Sequence, residues 1–93
     1  MVLGLLTLDL SLPGCNTLKE KRHRLRGVIE RVRTRFNISA SEVDHQDLHQ
    51  SALVAVAMVS QDRAVIEKAF ARVEEHFANG DGLVIAGSEV EWF

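Results

Sequence analysis

The apolar positions of this 93-residue chain fall into runs whose spacing predicts an element each. From Val2 to Leu12 the period is two. Leu6, Leu8, Leu10 and Leu12 share one face while Thr7, Asp9 and Ser11 share the other, so the run predicts a strand, ended by Pro13-Gly14. Leu3 and Leu5 fall on the polar side, which leaves that second face only partly wet. From Leu18 the spacing becomes helical: Leu18, Leu25, Val28, Ile29, Val32 and Phe36 predict a helix over 18–35. Thr17 followed by Glu20 has the pattern of a capping box, and Asn37 closes the segment. Gly27 costs about 1 kcal/mol against alanine in mid-helix, so it calls for a packing reason.

Ile38 to Val43 reads as a weak, polar strand and Asp44-His45-Gln46-Asp47 as the tip of a hairpin. Leu53 to Val59 is apolar on both sides, with Leu53, Ala55, Ala57 and Val59 against Val54, Val56 and Met58, which suits a central strand. A second helix opens at Ser60 or Gln61-Asp62, carries the stripe Val65, Ile66, Ala69, Phe70, Val73 and Phe77, and stops at Asn79-Gly80. Gly80-Asp81-Gly82 is a turn rather than a phosphate cradle, and Leu83 to Val90 is the last strand, with Glu89 and Glu91 on one side. The order β-α-β-β-α-β predicts an α+β, ferredoxin-like sandwich. Right-handed crossovers put both helices on one face of an antiparallel sheet of order 4-1-3-2. The chain reads as one domain over 1–93.

Charge changes this picture most. Thr17 to Arg35 holds eight of the eleven Lys and Arg residues and only two acids, a net of +6, against −8 for the rest of the chain. Polarisation of this kind orients an anionic partner before contact. Lys19, Lys21, Arg22, Arg24, Arg26, Arg31, Arg33 and Arg35 are therefore candidate contacts to an anion or to RNA phosphates, against the plainer readings of a solvated helical face or an acidic protein partner. The densest polar cluster is Asp44, His45, Gln46 and Asp47 with His49 nearby, a candidate partner-binding turn. There a carboxylate could orient His45 as a general base, but the spacing matches no metal motif, and a turn that satisfies its own backbone is the simpler account. The single Cys15 excludes an internal disulfide and fits a reducing compartment, hence the cytoplasm; it reads as a partly exposed structural thiol rather than a reactive one. No apolar run is long enough to span a membrane, and the N-terminus reads as a strand rather than a signal peptide. No nucleotide, cofactor or serine-nucleophile motif is present, so neither cofactor nor small-molecule substrate is predicted.

The sheet face opposite the helices would expose Leu3, Leu5 and Thr7 with one row of the third strand, a candidate homodimer surface. With no Tyr and four Phe, the chain lacks the aromatics that a base-stacking RNA platform needs.

Several segments together resemble the YlxP-like family of small bacterial proteins, a domain of unknown function: Leu18-Lys19-Glu20-Lys21-Arg22, Arg35-Phe36-Asn37, Glu42-Val43-Asp44-His45-Gln46-Asp47 and Ser60 to Arg63. The chain has His49 and Ser51 where relatives commonly carry Trp and Arg. The resemblance implies a ferredoxin-like domain and a link to translation, since such genes often lie among those for translation and ribosome maturation. It implies no catalytic residues. Three readings result: a non-enzymatic accessory protein touching RNA or the ribosome, a homodimeric interaction module, or a small enzyme using the Asp44 to Asp47 turn.

Overall fold

The computed structural model describes residues 1–80 and 82–93. Its elements follow the order β1 (Val2–Ser11), α1 (Leu18–Arg35), β2 (Ser39–Asp44), β3 (Ser51–Ser60), α2 (Arg63–Ala78) and β4 (Val84–Trp92). The four strands form one antiparallel sheet in the order β2-β3-β1-β4, the ferredoxin-like arrangement expected from the sequence. The turn expected at Gly80-Asp81-Gly82 includes a position outside the described residues.

The period-two leucines of β1 are the reason the sheet has an inside. Leu6, Leu8, Leu10 and Leu12 are all buried against the helices, as are Ala52, Val54 and Val56 of β3. From α1 come Leu25, Val28 and Val32, and from α2 Ile66, Phe70, Val73 and Phe77, which close the core. Val65, expected in the α2 stripe, is 45% exposed, because it lies on the flank of the helix that turns away from the sheet. Burying aliphatic side chains of this size is worth about 1.5–3 kcal/mol each, so the shared apolar layer is the main force holding helices to sheet.

Helix boundaries follow side-chain chemistry. Thr17 Oγ1 accepts the Glu20 N–H at 3.1 Å, and Glu20 Oε2 accepts the Asn16 N–H at 3.3 Å, so the capping box reaches one residue further back than the usual reciprocal pair. Phe36, not Asn37, takes the C-cap position of α1, since its extended backbone ends the helix while its N–H still bonds to Val32. Asp62 caps α2 by accepting the Ala64 N–H at 2.9 Å.

Two glycines test the packing. A Cβ on Gly4 of β1 would lie 2.8 Å from Ile66 Cγ2 and 3.0 Å from both Phe70 and Trp92, so a hydrogen at this position lets α2 approach the sheet. Gly27 is exposed on α1 and has no such reason. Gly4→Ala should therefore lower stability by about 1–3 kcal/mol through overpacking. Gly27→Ala should raise it by about 1 kcal/mol. Urea titration of the two variants reads both signs; a neutral Gly4→Ala would contradict the close approach.

Candidate polyanion-binding face

All eleven Lys and Arg residues lie on the two helices, and none lies on a strand. The sheet carries Asp9, Glu42, Asp44, Glu89 and Glu91 instead. The helix layer is thus the only place where the described residues can gather positive charge.

Rotation of α1 about its axis sorts its cations. Leu25, Val28 and Val32 face the core, and Lys21 occupies the same stripe one turn before Leu25. Lys21 is thereby removed from the candidate anion contacts. Its side chain is 2% exposed, and its Nζ lies 2.8 Å from Glu42 Oε2 on β2. It also donates to the carbonyl oxygens of His45 at 2.6 Å and Leu48 at 2.7 Å. Glu42 Oε2 lies off the direction of a hydrogen bond, so the contact with Lys21 is one of charge and the directed bonds are those to the two carbonyls. The signal was present in the sequence. Leu18, Lys21, Leu25, Val28 and Val32 alternate three and four apart, and a lysine inside such a stripe must carry its own buried partner.

Arg24 is partly neutralised as well: its guanidinium donates to Glu20 Oε1 at 2.6 Å in an i,i+4 pair that the sequence spacing also encodes. Arg24, Arg31 and Arg35 lie on the flank of α1 opposite the one carrying Arg22 and Arg33. There Arg31 shares a hollow of about 410 Å³ with Glu75, His76 and Asn79 of α2.

The other flank differs. Arg22, Arg26 and Arg33 are spaced i, i+4 and i+11, so they line up along one side of α1, and all three are exposed. Together with Lys19 they take part in no salt bridge among the described residues. Lys19, Arg22, His23 and Arg26 line a hollow of about 300 Å³ with no carboxylate in its wall. Next to it, Arg22, Arg26 and Arg33 border a groove of about 370 Å³ between α1 and the edge strand β2, floored by Leu25, Ile29 and Ala40. Two carboxylates reach that groove, Glu30 and Glu42, and the second is already held by Lys21.

The β2–β3 connection is held from beneath by the Lys21 ammonium. His45 adopts a left-handed backbone with φ of 65°, which Asp44 supports by accepting the His45 N–H at 2.8 Å. The imidazole Nδ1 of His45 bonds to Ser51 Oγ at 3.0 Å. Asp44 and His45 are thus used in shaping the turn, while Gln46, Asp47 and His49 are exposed at its tip. Asp47, His49 and Gln50 face Cys15 and Asn16 across a hollow of about 530 Å³. Cys15 itself is fully buried rather than partly exposed, with its thiol directed at the Thr17 carbonyl. No cluster of three or more His, Cys, Asp or Glu side chains suited to a metal occurs among the described residues. Nor is any helix among them long and apolar enough to cross a membrane.

The fold is shared with proteins of remote sequence. The putative chlorite dismutase TA0507 superposes with a TM-score of 0.60 at 10% identity, covering 98% of this chain, which spans 43% of that protein's length. The de novo designed protein Foldit4 superposes with a TM-score of 0.53 at 12% identity, covering 100% of this chain and 97% of its own. Likeness at this level defines the ferredoxin-like class and nothing about activity. Sequence relationship is narrower. Residues 3–90 match the family described as "Protein of unknown function (DUF503)", and the chain belongs to that family. It is also 35% identical over 77 residues to the uncharacterized protein YlxP of Bacillus subtilis (strain 168), which covers 83% of this chain and 84% of that relative.

Lys21→Met should cost about 3 kcal/mol, because it strands the mostly buried Glu42 carboxylate and leaves two turn carbonyls without their donor. Adding Glu42→Leu should return part of that loss. Chemical denaturation of the single and double variants checks the order, and a neutral Lys21→Met would show that the ammonium is not the clamp.

Proposed function

We propose that the protein is a non-catalytic accessory that binds RNA, free or on the surface of the ribosome, through the outer row Lys19, Arg22, Arg26 and Arg33. The observation that carries this reading is the hollow lined by Lys19, Arg22, His23 and Arg26 without a single acid, extended along the helix by Arg33. Arg22 to Arg33 spans about 16 Å at 1.5 Å per residue. That matches the axial reach of about five nucleotides at ~3.4 Å each. Guanidinium groups are weakly hydrated and offer forked donors to phosphate oxygens, so such a row fixes a backbone without reading bases. The translation link implied by the family resemblance supports ribosomal RNA as the target and the cytoplasm as the place. The exposed turn at Gln46, Asp47 and His49 is then a protein contact at the margin of the site.

Four phosphate contacts give a definite salt response. On single-stranded RNA the slope of log affinity against log salt should be about −3, at roughly −0.7 per contact. Replacing Arg22, Arg26 and Arg33 with Gln should weaken binding and flatten that slope toward about −1, with Arg72→Gln on α2 as an unaffected control. Fluorescence anisotropy with a mixed-sequence RNA oligonucleotide, and co-sedimentation with ribosomal subunits, read the effect. A salt-independent affinity, or a triple variant that binds as wild type, would defeat the proposal.

A second reading, self-association, is supported by a different surface. The side of the sheet turned away from the helices carries Leu3, Leu5, Leu53, Ala55, Ala57 and the 54% exposed Val59, and no cation. Polyanions are repelled there, and the apolar area is contiguous.

A further inference from the structure

We infer that the groove between α1 and β2 holds unpaired bases, so that the RNA taken by this site is a single strand. Its phosphates lie on the arginine row and its base edges meet the free edge of β2. The inference rests on the RNA reading and names the kind of RNA that the site takes. Sheet order places the groove. β2 ends the sheet, with β3 on one side and no strand on the other. α1 packs on β2, so the flank of α1 that carries Arg22, Arg26 and Arg33 borders the free edge of the sheet, and the groove lies between them.

Three kinds of group meet there. Arg22, Arg26 and Arg33 are exposed along the helix side. Leu25, Ile29 and Ala40 make the floor, and Ile29 is only half-buried. The third kind is main chain. In an antiparallel pair, alternate residues of an edge strand turn their N–H and C=O groups away from the neighbouring strand. Among the described residues, 39–44 make no backbone hydrogen bond beyond the pairing of β2 with β3. The one side-chain bond to this stretch of main chain is from the Ser41 hydroxyl to the Glu42 carbonyl oxygen, at 3.2 Å. Two carboxylates also line the groove. Glu42 lies 2.8 Å from the Lys21 ammonium, whereas Glu30 takes part in no salt bridge among the described residues, although Arg26 and Arg33 stand one turn to either side of it. Asp44, the other acid of β2, pairs with Leu53 and belongs to the opposite face of the sheet.

A duplex cannot use this combination. Its bases are stacked and paired within, so it offers the groove little beyond phosphates and ribose hydroxyls. A single strand offers all that the groove lacks. Base faces cover the apolar floor, and arginine planes stack on bases in place of the aromatic side chains that the chain does not supply there. Each of the four bases carries a hydrogen-bond donor beside an acceptor on its pairing edge. One outward residue of β2 presents the complementary pair, N–H and C=O, so the strand is held with little regard to sequence. Glu30 repels phosphate where it stands but accepts from a base amino group, a contact that only an unpaired base provides.

The test compares a labelled mixed-sequence RNA strand with the same strand annealed to its complement, by fluorescence anisotropy at equal salt. Phosphate contacts alone favour the duplex, because each releases more counterion there, about 0.9 against about 0.7. The groove predicts the reverse order, with the single strand bound about tenfold more tightly. Ile29→Gln, which keeps charge and similar volume, should weaken the single strand about fivefold and leave the duplex and the salt slope unchanged. A duplex that binds as tightly as the single strand, or an Ile29→Gln variant that affects both forms alike, would overturn the inference and leave the RNA reading standing. Polyglutamate that displaces the single strand at equal charge concentration would assign the groove to an acidic protein and overturn it too. Failure of both RNA forms to bind at low salt would overturn the RNA reading and this inference with it.

Discussion

The ammonium of Lys21 fixes how α1 is rotated on the sheet. It sits inside the apolar stripe of α1 and binds a carboxylate on β2 and two carbonyls of the β2–β3 connection, three groups that lie far from it in sequence. Burying a lysine is unfavourable unless its charge and its donors are met, so only a narrow range of helix rotations is compatible with it. Apolar contacts alone allow α1 to roll, because Leu25, Val28 and Val32 are of similar size. Lys21 and Glu42 remove that freedom. The rotation they select turns Arg22, Arg26 and Arg33 outward in one row and gives Glu42 a partner other than those arginines. A buried charge pair thereby keeps an exposed set of charges unpaired.

Charge is also distributed by layer. The helices hold every Lys and Arg, whereas the open side of the sheet shows Asp9, Asp44, Glu89 and Glu91 and no cation. A field directed from helix layer to sheet separates the two surfaces by the kind of partner each admits. Phosphates are drawn to the first and repelled by the second.

Much of the fold was legible because the sequence patterns and the final packing obey the same geometry. The leucines of β1 and the 18–35 helix are one-face patterns, and they packed as such. Val65 shows the limit: an apolar residue at the margin of a helical stripe cannot be assigned to core or surface by spacing alone, and tertiary packing put it outside. Ends of elements moved by one or two residues for similar reasons, since Asp62 and Phe36 are chosen as caps by backbone geometry. In the candidate site, the basic character of α1 was plain, but its division into a free row and a partly neutralised flank was not. Lys21 falls among the expected anion contacts because composition sums charges without regard to direction. Its place in the stripe was readable; its partner Glu42 was not, because a strand residue twenty-one positions away becomes a neighbour only once β2 lies beneath α1. Cys15 shows the same limit: proximity to a basic helix start says nothing of burial, and Leu12, Thr17 and Gln50 enclose or bond its neighbourhood only in the folded chain.

The two surfaces also constrain one another. Both helices lie on the covered side of the sheet, so two copies meeting through their open sides must carry their helix layers on the outside. The basic row of each copy then faces away from the other. Sheets about 10 Å apart, each backed by a helix layer about 10 Å deep, put the rows roughly 30 Å from one another. One short RNA segment cannot lie along both at once. Such a dimer therefore gains nothing from avidity on an isolated short strand, but it can join two segments that a folded RNA already holds on either side of it. Salt sharpens the distinction: lowering it favours phosphate on the outer rows, whereas the carboxylates of two facing sheets then repel each other more strongly. On the proposed reading, occupancy of the outer rows by RNA and pairing of the inner faces are separate equilibria, linked by geometry through which segments of RNA one particle can span.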